Sequence, residues 1–110
     1  MAMTFVNIST YLVFSYGGPN GNAGVAASIS LGIPNAFAFL NFYPPGAALP
    51  ANHVETLSGT PTFYVSYHYE QLANVIDLLR NEKPLKFFFN DANLIAYVTT
   101  GKEPVGEGES

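Results

Sequence analysis

Not one Asp, Glu, Lys or Arg occurs from Met1 to Val54; the first is Glu55, and all four basic and eight acidic side chains lie from there on. Folded chains keep their surfaces wet largely with charge. An uncharged half must therefore build its outer face from Ser, Thr, Asn and Gly, or hide that face against something. Halves of this size are each marginal as separate folds, which favours one domain. The expectation is one α+β domain over residues 1–100, with an uncharged layer shielded from water, and an acidic, Gly-rich tail over 101–110.

The charge-free half reads as strands. Residues 5–16 alternate, with Val6, Ile8, Leu12 and Phe14 assigned to one face and Asn7, Ser9, Tyr11 and Ser15 to the other. After the turn formers of 17–22, residues 24–31 alternate again, Val25, Ala27, Ile29 and Leu31 opposite Ala26, Ser28 and Ser30. Residues 36–43 are apolar on both faces, Ala38, Leu40 and Phe42 against Phe37, Phe39 and Tyr43, as in a central strand covered twice. Three strands with short turns suggest an antiparallel meander. Residues 44–53 contain three prolines and read as an irregular crossing loop. A further strand is expected at 62–68, with Phe63, Val65 and Tyr67 on one side and Tyr64 and His68 on the other.

From about residue 69 to 82, Leu72, Val75, Ile76 and Leu79 fall at the spacing of an amphipathic helix. Asn81 is expected as a left-handed C-cap, with Pro84 beyond it and Arg80 and Lys83 suiting the helix dipole. Residues 85–89 and 94–99, joined by Asn90-Asp91-Ala92-Asn93, form a hairpin pattern. The fold expected is an antiparallel sheet of five or six strands with this helix packed on one face.

Composition narrows the chemistry. With no Cys, disulfides, thiol catalysis and thiolate metal sites are excluded. A net charge of −4 with four scattered cations supplies no phosphate-binding patch, so no nucleic acid partner is expected. The turn Gly32-Ile33-Pro34-Asn35 interrupts the long uncharged stretch 23–43, which argues against a membrane segment and a membrane partner. Met1 to Phe5 lacks Lys and Arg ahead of an apolar run, so no secretory signal is expected, and the chain reads as cytoplasmic. Nothing in the chain calls for a cofactor.

Motifs give little more. The Gly/Asn loop 17–24 lacks the Lys-Ser/Thr and the helix of a phosphate cradle. No Gly-x-Ser-x-Gly elbow occurs; Ser58-Gly59 reads as a turn. Two His-x-Glu triplets, His53-Val54-Glu55 and His68-Tyr69-Glu70, place an imidazole two residues from a carboxylate. Brought together, they would make a facial metal site or an acid–base pair. His68 with Gln71 three residues on also reads as a helix-capping arrangement. The stretch Leu78-Leu79-Arg80-Asn81-Glu82-Lys83-Pro84 and the ending Lys102-Glu103-Pro104-Val105-Gly106-Glu107-Gly108-Glu109 resemble the C-terminal part of small bacterial proteins of unknown function. That resemblance spans the last third of the chain, contains no catalytic motif, and implies a bacterial origin and nothing about a site.

The favoured expectation is a non-enzymatic protein that self-associates as a homodimer through an uncharged aromatic sheet face, with Phe37, Phe39 and Tyr43 at the interface. Two alternatives stay open. One is a module binding a small apolar or carbohydrate ligand through Tyr11, Tyr64 and His68. The other is a metal-dependent enzyme built on His53, Glu55, His68 and Glu70.

Overall fold

A computed structural model describes residues 3–100, apart from the side chain of Leu57. It holds eight strands: β1 Met3–Asn7, β2 Thr10–Ser15, β3 Ala27–Ile33, β4 Ala36–Tyr43, β5 His53–Leu57, β6 Thr60–His68, β7 Leu85–Asn90 and β8 Ala96–Thr100. One helix, α1 Leu72–Asn81, follows a 3-10 turn at Tyr69–Gln71. The class is α+β and mostly antiparallel, as the sequence pattern indicates. The strands divide into a five-stranded sheet, ordered β2-β3-β4-β6-β5, and a three-stranded one, ordered β1-β7-β8.

β2, β3 and β4 form the expected antiparallel meander, β3 turning into β4 through Pro34 and left-handed Asn35. The chain then crosses to the far edge and lays down β5. It returns through Ser58 and Gly59, both at positive φ, the requirement of a two-residue hairpin turn. β6 thereby enters between β5 and β4 and pairs with β4 in parallel.

The stretch 5–16, expected as one strand, belongs to both sheets. Ile8 N–H donates to Leu85 O in the small sheet (2.9 Å), and Ser9 N–H donates to Gly32 O in the large one (2.9 Å). This crossing shifts the side-chain alternation by one residue, which exchanges the faces of everything after it. Val6 and Ile8 pack against the core, and so does Tyr11. Leu12 and Phe14, expected on the same face as Val6, lie instead on the outer face of the large sheet, 63% and 41% exposed.

The two sheets and the helix share one core. Ala27, Ile29 and Leu31 of β3, Ala38, Leu40 and Phe42 of β4, and Phe63 and Val65 of β6 form its floor. Leu85, Phe87 and Phe89 of β7 close it from above, the Phe63 ring tilting against those of Phe87 and Phe89 at 5.5 and 5.0 Å. Val75 and Leu79 enter from the helix, with Leu72, Ile76 and Leu78 partly buried beside them. Asn81 ends the helix differently from expectation. It stays helical, its Nδ2 donating to Asp77 Oδ1 one turn back (2.6 Å), and the chain becomes extended at Glu82. Neither His68 nor Gln71 caps the helical segment with its side chain.

Candidate functional site

The outer face of the five-stranded sheet carries most of the side chains singled out as functional. Its register aligns one row across all five strands: Leu12, Ser30, Phe39, Tyr64 and His53. The next row runs Thr10, Gly32, Phe37, Thr62 and Glu55. Period-2 alternation puts these residues outward because their neighbours Ala38, Leu40, Phe63 and Val65 are drawn into the core.

The rings on this face pack against one another. Phe39 stacks on Tyr64 at 5.9 Å, and Tyr64 on His53 at 4.8 Å. At the β2 edge Phe14 stacks on Tyr16 at 6.3 Å. Phe37, one row beyond Phe39, stands 57% exposed, while Phe39, Tyr43 and Tyr64 are half-buried. Polar groups here are small and paired: Ser28 Oγ, nearly buried, donates to Asn41 Oδ1 (2.8 Å). Among the described residues no buried side-chain nitrogen or oxygen lacks a partner.

The titratable groups sit toward the β5–β6 side. His53 Nε2 lies 3.4 Å from Glu55 Oε2, so the first His-x-Glu triplet does place its two side chains together. His53 pairs in register with Tyr64, four residues before His68 on β6. That separates the two histidine backbones by roughly 13 Å along the strand. Glu70 lies beyond, in the 3-10 turn, and among the described residues no three His, Asp or Glu side chains converge as a metal would require. The ligand-binding candidates are divided by the sheet: Tyr64 and His68 face outward, whereas Tyr11 packs toward the core.

Position in the fold also shows in the acidity of Tyr67. Burial pushes the Tyr67 hydroxyl above its ordinary value, because its ring lies on the inner face, stacked on Phe42 at 5.0 Å.

A second aromatic strip was not anticipated. On the outer face of the small sheet Phe5, Phe88 and Tyr97 stand in register. Phe88 stacks on Tyr97 at 4.7 Å, and Lys86 Nζ sits 5.1 Å from the centroid of the Phe5 ring. The run Phe87-Phe88-Phe89 held the signal, since consecutive residues of a strand cannot all face one core.

The glycine-rich loop 17–24 is a connection between β2 and β3, closed by a bridge between Asn22 and Val25. Gly21 is required there: it has φ +56°, and a Cβ would collide with the carbonyl oxygen of Val25. Among the described residues no helix is long and apolar enough to cross a membrane. Comparison with protein-family models, with curated proteins and with solved structures found no match.

Proposed function

We propose that this chain is a non-catalytic, self-associating protein whose interface is the outer face of the five-stranded sheet. One observation carries the reading: Leu12, Phe14, Phe37, Phe39 and Tyr64 share one face that neither α1 nor the small sheet covers. A contiguous apolar surface of this kind on a small protein marks a contact surface. Rings at its centre, small paired polar groups between them and ionisable groups toward one margin match the anatomy of protein interfaces. A second copy fits this surface well. The face has no run of charge that would select an oppositely charged partner, and a two-fold contact can place its apolar stretches, which exclude His53 and Glu55 at one margin, against each other.

Sedimentation equilibrium measures this directly. The protein is expected to be dimeric at high micromolar concentration. Phe37→Asp should weaken association by about tenfold or more, since it places a charge within the contact. Its melting temperature should stay near that of the parent, because Phe37 lies outside the core. A parent protein that is monomeric at that concentration overturns the reading.

A further inference from the structure

Three strand ends meet at one corner of the large sheet. Tyr16 N–H donates to Ala26 O (3.0 Å) and Ala26 N–H to Phe42 O (2.8 Å), which ties together the exit of β2, the approach to β3 and the end of β4. Two tight turns flank this corner. The 17–24 connection is held by its own backbone, Gly24 N–H donating to Asn20 O (3.0 Å) and Asn22 and Val25 bonding each other (3.0 and 2.9 Å). The segment after β4 turns back at once, Ala47 N–H donating to Pro44 O (3.1 Å). Between the turns lies an open pocket of about 400 Å³, a size usual for small-molecule sites.

No acidic or basic side chain lines this pocket, because its walls come wholly from the charge-free half of the chain. An ion entering it would shed water and find no countercharge, so the chemistry of the walls selects a neutral occupant. Pro19, Val25, Pro44 and Ala47 give apolar surface. Tyr16 adds a ring whose plane is set by its stack on Phe14, 6° from parallel. The polar side chains of the pocket are unspent: neither the Asn20 carboxamide nor the Tyr16 hydroxyl makes a hydrogen bond to another described residue. A carboxamide offers donors and an acceptor side by side, and a phenol one donor with an acceptor. Such groups complement hydroxyls, which also do both.

We propose that this pocket binds a neutral pyranose sugar. The C–H face of the sugar ring lies on Tyr16, and neighbouring hydroxyls on its edge exchange hydrogen bonds with the Asn20 carboxamide. Tyrosine suits this use because it presents a broad apolar body beside a polar tip. Both turns are closed by their own backbone bonds, so little ordering opposes binding. None of the five side chains that carry the proposed interface lines the pocket, and the site stands or falls independently of self-association.

Amide NMR on the full chain tests it, with the methyl pyranosides of glucose, galactose and mannose as probes and cyclohexanol as a ring with a single hydroxyl. At least one pyranoside is expected to shift the amides of residues 16–26 and 46–47 saturably, and cyclohexanol much less. Asn20→Ala should weaken binding of that pyranoside by about fivefold, the loss of its hydrogen bonds, with melting unchanged because the side chain is exposed. Tyr16→Ala should weaken it by about tenfold and Tyr16→Phe by less, since the ring supplies the stacking face. Shifts that fail to saturate with all three sugars, an equal response to cyclohexanol, or an Asn20→Ala variant that binds like the parent would each overturn the assignment.

Discussion

Tyr67 shows how burial of a single polar group couples folding to pH. Its hydroxyl titrates above the ordinary value because the ionised form would have to be held inside the fold. The folded state therefore keeps a proton that the unfolded state releases from about pH 10 upward. In that range stability falls as pH rises, while below it the contribution is fully present. Alkaline denaturation followed by circular dichroism should show Tyr67→Phe losing less stability than the parent above about pH 10. At this scale, the sequence was most readable where one face of a strand was plainly apolar. Phe63, Val65 and Tyr67 were assigned together by alternation, and they do share the inner face. Leu12 and Phe14 were misplaced because nothing in their own pattern records that the chain changes sheets two residues before β2 begins.

Among the elements, the helix was the most legible, its period of 3.6 being carried by four large apolar residues. Its two faces differ in depth: Val75 and Leu79 are buried, while Ile76 is only partly so. Charge introduced at Leu79 should consequently cost more than at Ile76. Leu79→Asp is expected to abolish cooperative unfolding in urea, since it removes about 2–5 kcal/mol of packing and adds the cost of a buried charge. Ile76→Asp should leave a folded but weakened protein; equal loss from both would contradict the packing described. β5 was the least legible element. Its Pro-rich approach over 44–52 reads as loop, and its pairing depends on β6, which lies after it in the chain. The parallel contact of β6 with β4 follows from that placement, and such long-range choices leave no local mark in the residues.

For the molecule as a whole, Phe87 and Phe89 of the small sheet lie against Phe63 of the large one, so the two sheets are expected to unfold together. Phe87→Ala should lower stability by about 3–5 kcal/mol in a single transition seen equally by probes in both sheets, as a shared cavity requires. Two separate transitions would show that the sheets unfold independently. The candidate interface was partly legible: Phe37, Phe39 and Tyr43 were placed together from their alternation, and they do share a face. Leu12 and Phe14 join that face only through the sheet crossing, and the pocket beside Tyr16 exists only where the turns at 17–24 and 44–47 come together. Neither could be read from spacing, since both arise where distant segments meet.

β2 forms the outer edge of the large sheet, and along Thr10–Ser15 it carries neither a charged residue nor a proline. Its outward backbone amides and carbonyls are left without the usual deterrents to strand addition. A crowded solution thus offers this molecule a mode of growth that does not use side-chain complementarity and that, unlike a closed pair, has no natural stopping point.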